Sequence, residues 1–176
     1  MAEPGIALKI EVKGLAKAQE AVKEIEQRGG DLKLPFTSAG RFLLMRTHEH
    51  FEKTESAEGE KWKPLSGRTL RQHQTYYERK RRRKPPPEGA RTGYEPLFLT
   101  GRLLASIQMA ASKDGLSIGT NRRFPGGTKS AGAIHQLGGL AGRNHTVHIP
   151  ARPFLGMNED DADRVAEILM SFLAKS

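Results

Sequence analysis

The residues best suited to chemistry are the histidines, one knot of carboxylates and one run of arginines and lysines. Their spacing decides what each group can do. His48 and His50 sit in a helical pattern, where an offset of two residues turns the rings about 200° apart, so they cannot share a metal. His145 and His148 fall in or near a strand, where an offset of three puts the rings on opposite faces. The chain has no cysteine. Neither pair therefore has a thiolate to complete a site, and disulfides and cysteine nucleophiles are excluded. Glu159, Asp160, Asp161 and Asp163 resemble a nuclease cluster. They also follow Asn158 at a helix start, where carboxylates are favoured by exposed amides and the helix dipole. Capping is the simpler account. The chain lacks G-x-S-x-G, a phosphate-loop lysine and H-E-x-x-H. We assign no catalytic residue, no metal ligand and no cofactor, and read the chain as a non-enzyme.

The basic run is a different matter. Arg79, Lys80, Arg81, Arg82, Arg83 and Lys84 are consecutive, and Pro85-Pro86-Pro87 follows. The net charge is +9, and residues 61–91 hold eleven Lys or Arg against two Glu, which accounts for the whole excess. The rest of the chain is balanced. Such a segment can hold DNA by releasing counterions, or order against an acidic protein surface. His73, Tyr76 and Tyr77 precede it and offer rings for stacking on bases. A stand-alone nucleic-acid-binding protein is thus the alternative function. Against it, the charge is confined to one loop and no recognition helix is evident.

These groups need elements to position them. Ile6, Leu8, Ile10 and Val12 alternate with more polar residues, which predicts a half-buried strand ended by Gly14. Leu15, Ala18, Val22 and Ile25 predict a helix closed by Arg28-Gly29-Gly30. A second helix starts near Pro35, with Phe36, Leu43, Leu44 and Phe51 on its apolar face. From 53 to 94 the periodicity fails. Adjacent like charges and three prolines disfavour regular structure there, so a long, at least partly mobile excursion is expected. A short helix follows near 101–106. Ile107, Met109 and Ala111 pair across Lys113-Asp114-Gly115 with Leu116 and Ile118 as a hairpin. A loop spans 121–133, Ala133–Leu137 is a short apolar element, and Val147 and Ile149 mark another strand. Asn158 caps a last helix with Val165, Ile168, Leu169, Phe172 and Leu173 on one face.

The predicted order, β-α-α-loop-α-β-β-β-α, is that of a small α+β domain: a small antiparallel or mixed sheet against two or three helices, with a long basic loop. One domain over 1–176 is expected, with an extended basic insertion at about 53–96. Hydrophobic residues make up 36% of the 176, and mean hydropathy is -0.59, which suits one core plus a polar segment. Met1 to Val12 lacks the shape of a signal peptide and no stretch reaches about 18 apolar residues, so a protein without a membrane partner is expected.

Several blocks then occur in order: Trp62-Lys63-Pro64-Leu65-Ser66, Leu99 to Ile107 around Thr100-Gly101-Arg102, Ile118-Gly119-Thr120, Ala133-Ile134-His135-Gln136-Leu137-Gly138-Gly139, and Ile149-Pro150-Ala151-Arg152-Pro153-Phe154-Leu155-Gly156. The series resembles the virion morphogenesis (tail completion) family of Mu-like tailed phages, over roughly residues 35–175. The insert at 72–96 is longer and more basic than that pattern. The resemblance implies a non-enzymatic structural protein, made in the host cytoplasm and placed in the virion tail or neck. It implies a homo-oligomeric ring, often six-fold, at the tail-tube end, acting as tail terminator or head–tail joining protein. Its partners would be further copies, the tail tube, sheath or neck and connector proteins, and packaged DNA in the channel. Trp62, Arg102, His135, Arg152 and Phe154 are the candidate structural or interface residues. Arg79 to Lys84 are the candidate contacts for DNA or an acidic partner.

Overall fold

The computed structural model describes residues 16–27, 31–83, 94–124, 130–142 and 146–174. The strand expected over Ile6–Val12, the Arg28-Gly29-Gly30 stop, Lys84, the three prolines and His145 lie outside them. Five helices and two small sheets are described. In chain order they are α1 (Ala16–Gln27), α2 (Lys33–Lys53), α3 (Gly67–Arg83), β1 (Gln108–Ala111), β2 (Leu116–Gly119), α4 (Ala131–Leu137), β3 (Gly139–Ala141), β4 (Val147–Ile149) and α5 (Glu159–Leu173). β1 pairs antiparallel with β2, and β3 with β4. This is the expected α+β class.

α2 is the spine. Its 21 residues span about 30 Å, and it contributes to both hydrophobic clusters. At its N-terminal end, Leu32 and Ala39 pack with Ala18, Ala21 and Ile25 of α1 and Val165, Ala166 and Leu169 of α5. Alanines at these contacts let helix axes approach closely. Midway, Gly40 lies under the β1–β2 hairpin, where an added Cβ would come within 2.4 Å of the Met109 sulfur and 2.7 Å of a Leu116 methyl. At its C-terminal end, Phe51 joins Trp62, Leu103, Ile107 and Phe154 in a second cluster. Burying a residue such as Leu169 or Phe154 contributes roughly 1.5–3 kcal/mol each.

One ion pair ties the spine to the last helix. Asn158 caps α5 through Asp161 N–H, and Asp161 accepts in return from the Asn158 amide, completing a capping box. The same carboxylate accepts from Arg46 Nε at 2.6 Å, and Arg46 also pairs with Glu49. Asp163 pairs with Lys17 on the exposed side. Of the four carboxylates, Asp161 and Asp163 are thus occupied in capping and in joining helices, while Glu159 and Asp160 are exposed in the first turn.

Three expectations are corrected. The segment from 53 to 94 is not one irregular loop, because residues 67–83 form α3. The cause is compositional. No proline or glycine interrupts 68–83, and Arg, Lys, Gln and Glu are good helix formers. Helical geometry also fans neighbouring charges around the axis instead of stacking them. Ser66 accepts from the Thr69 amide at 3.2 Å and caps the start. The second correction concerns Gly138-Gly139. They end α4 as expected, with Gly138 at φ 77, but Gly139 then opens strand β3 opposite Ile149. A three-residue strand containing glycine carries too little alternation to be seen beforehand. The short helix near 101–106 is a 3-10 turn at Leu104–Ser106.

Asp161 makes a direct prediction. Asp161→Ala leaves Arg46 without its partner and α5 without its box. Thermal unfolding should show a loss of about 2–4 kcal/mol. Lys17→Ala, which removes only an exposed pair, should barely move the midpoint.

Candidate functional site

The segment from Ile149 to Gly156 crosses the second core. Pro150 and Pro153 keep it from regular pairing along its whole length, yet Arg152 and Phe154 within it are buried, at 5% and 1% exposure. A buried backbone must find hydrogen bonds somewhere. Here the surrounding side chains supply them. The Arg152 amide donates to His135 O at 2.7 Å. Trp62 Nε1 donates to Pro153 O at 2.8 Å. The Phe154 and Leu155 amides both donate to Gln136 Oε1 at 3.0 Å, and Gln136 Nε2 donates back to Leu155 O at 2.7 Å. His50 Nδ1 donates to Phe154 O at 3.2 Å. A carbonyl only accepts, so the His50 proton sits on Nδ1.

Four of the five candidate residues meet in this cluster. Trp62 packs edge-on against Phe51 with ring centroids 5.4 Å apart, and Phe51 lies 5.4 Å from Phe154. Trp62 returns to the core through a tight excursion: Thr54 ends α2 in the left-handed region, and Trp62 N–H donates to Thr54 O. Arg152 reaches the other way. Its Nε donates to Lys63 O at 2.8 Å and its Nη2 to Pro64 O at 3.0 Å. These carbonyls belong to the lead-in to α3, so Arg152 fixes the root of the basic helix. Burial lowers the Arg152 pKa from its ordinary value, and among the described residues no carboxylate forms an ion pair with it. Arg102, the fifth candidate, stands apart and exposed after the Gly101 turn.

His135 lies between Phe124, 5.7 Å away ring to ring, and the Arg152 charge. Burial, with Arg152 adding repulsion, pushes its pKa down to about 4. Its Nδ1 is buried with no hydrogen-bond partner among the described residues. At neutral pH it is an uncharged packing group. Sequence reasoning quoted Gln136 within a motif but did not single it out. The available signal was an amide on an otherwise apolar seven-residue element, where a buried polar side chain requires partners.

The basic run, from Arg79 to Arg83, forms the last five residues of α3. Leu70, His73 and Tyr77 face the body, and the Tyr77 hydroxyl donates to Leu99 O. Tyr77 also lies 6.1 Å from Tyr94 ring to ring. Arg79, Lys80, Arg81 and Arg82 are exposed; of Arg83 only its place in the helix is described. Among the described residues no group of three His, Asp or Glu could hold a metal, and no helix is long and apolar enough to cross a membrane. His48 is exposed while His50 points into the core, as their offset requires.

Two outcomes follow. Arg152→Met keeps the bulk but strands two carbonyls. It should cost about 2–4 kcal/mol and speed amide exchange across 66–83 more than across α5. His135 has a folded pKa below the unfolded value of roughly 6.5. As pH falls from about 6.5 to about 4, the unfolded chain takes up a proton that the folded chain refuses. Stability should decline through that window by about 3 kcal/mol. Denaturant titrations of His135→Gln beside the parent should show a shallower decline; parallel curves would assign the acid sensitivity elsewhere.

The model of the phage virion morphogenesis family matches residues 14–174. Mu-like prophage FluMu G protein 2 of Haemophilus influenzae is 42% identical over 74 residues, which is 42% of this chain and 49% of that protein. The chain thus spans about half the length of that curated relative. No solved structure matches. The ordered blocks, the α+β frame and the match across nearly the whole chain agree: this protein belongs to the phage virion morphogenesis family.

Proposed function

We propose that this chain completes the phage tail and joins it to the head, as a closed ring at the tail-tube end or in the neck, with six copies as the favoured form. The observation that carries the reading is an exposed apolar group in a virion protein. Leu137, at the end of α4, is 65% exposed and Val147, on β4, is 50% exposed. Leu137 leads into, and Val147 belongs to, a sheet that has two short strands among the described residues. A two-stranded sheet is marginal by itself, and exposed large apolar side chains are where interaction surfaces are found. A head-to-tail contact closes into a ring when its rotation fits.

Within this reading Arg102 meets the neighbouring copy directly. Trp62, His135, Arg152 and Phe154 act from inside, holding α4 and the 149–156 segment in the shape the neighbour meets. Tail-tube, sheath or neck and connector proteins are the further partners, and the virion is the location.

Leu137→Asp tests it. The parent should give rings of defined copy number by native mass spectrometry, and the variant should give monomers with an unchanged circular dichroism spectrum. Leu34→Asp, equally exposed but on α2, should keep the rings. Complementation of a phage lacking the protein should yield unjoined heads and tails with Leu137→Asp alone. A parent that stayed monomeric and still bound DNA tightly would favour the stand-alone nucleic-acid reading.

A further inference from the structure

α3 turns the basic segment into a surface with a direction. At about 100° per residue, Leu70, His73 and Tyr77 mark the face turned to the body. Arg68, Arg71, Arg79 and Arg82 fall within an arc of about 80° on the opposite side. All four are exposed. Gln72, Thr75 and Tyr76 lie along the same side, and together with Arg68, Arg71 and Arg79 they line a shallow depression of about 400 Å³. Lys80 and Arg81 point away from that arc and flank the docked face. The stripe therefore includes Arg68 and Arg71, which lie outside the consecutive run, and leaves out Lys80 and Arg81 within it.

We propose that this face of α3 binds the phosphate backbone of duplex DNA without reading its sequence. The composition favours nucleic acid over an acidic protein. All four cations are guanidiniums, whose forked donors fit phosphate oxygens. The other residues that line the depression are neutral donors, Gln72, Thr75 and Tyr76, of the kinds that contact phosphate and sugar, while the exposed Glu78 borders the stripe beside Arg71. Apart from Tyr76 the face has no large apolar side chain, whereas the centre of a protein interface is depleted of charge and rich in apolar and aromatic groups. From Arg68 to Arg82 the stripe runs about 21 Å, long enough to follow several phosphates along a groove edge. The choice of DNA as the polyanion rests on the proposed place at the head–tail junction. The geometry of the stripe does not.

The experiment removes equal charge from two faces. Arg68→Gln with Arg71→Gln clears one end of the stripe; Lys80→Gln with Arg81→Gln removes two neighbouring charges off it. Affinity for a labelled duplex of mixed sequence is followed by anisotropy from 50 to 200 mM salt, with helix content checked by circular dichroism. The stripe pair should weaken binding at least tenfold and flatten the log–log salt slope by about 2, since each phosphate contact contributes about 0.9. The off-stripe pair should change the slope by less than about 1. Arg79→Gln with Arg82→Gln should repeat the stripe result. Equal losses from both pairs would show that charge, not the face, matters and would overturn the proposal. So would a parent that ignores DNA at 50 mM salt, or one that binds poly-glutamate as tightly through the same arginines. Leu137→Asp should bind DNA with the parental slope per subunit. Loss of rings with DNA binding kept defeats neither reading, and a parent without rings that binds through the stripe defeats the ring alone.

Discussion

A chain that carries irregular backbone through an apolar core must satisfy every amide and carbonyl it buries. In this protein that constraint falls on residues 152–155. Among the described residues no strand runs beside them to take the bonds. Gln136 meets three of them with one amide side chain, Trp62 and His50 meet one carbonyl each, and the His135 carbonyl takes the Arg152 amide. These partners come from three parts of the chain: α2, the return after it, and α4. The bonds that satisfy one segment therefore bring three others to the same place. Removing any one leaves a buried group unpaired, which costs more than an exposed bond is worth.

The same arrangement explains why the two hydrophobic clusters act together. The first is mostly helix on helix, Ala18, Ala21 and Ile25 against Val165, Ala166 and Leu169. The second is mostly ring on ring, Phe51, Trp62 and Phe154. α2 enters both, and the Arg46–Asp161 pair fixes its turn relative to α5. The polar contacts choose one arrangement among the many that hydrophobic burial alone would accept.

Much of this was legible in the residues. The apolar spacing of α1 and α2, the β1–β2 hairpin around Lys113-Asp114-Gly115, and the Asn158 cap all stand where patterning puts them, because each depends on local chemistry. The ordered blocks from Trp62 to Gly156 gave the family. What stayed hidden depended on neighbours. β3 exists because Val147–Ile149 lies beside it. Gln136 matters because of a segment nearly twenty residues later. α3 is hidden because adjacent like charges mask an intrinsic helix preference, and because Leu70, His73 and Tyr77 find a docking surface that no local window contains. Trp62 and Arg152 stand out in the sequence as candidate structural or interface residues; the fold places the Trp62 ring in the second cluster and the Arg152 guanidinium on the Lys63 and Pro64 carbonyls.

Arg152 and Tyr77 together make α3 a beam on two supports. The guanidinium holds two carbonyls just ahead of the first helical residue, Gly67, and Tyr77 rests on Leu99 about 15 Å along the axis from Gly67. The six residues beyond, 78–83, extend roughly another 9 Å. With supports so spaced, an error of one ångström at the root moves the tip by only about 0.6 Å, in the opposite sense, by simple leverage. A single support would have magnified the same error. The helix is thus built for aim, and every copy in an assembly would carry its tip at the same angle.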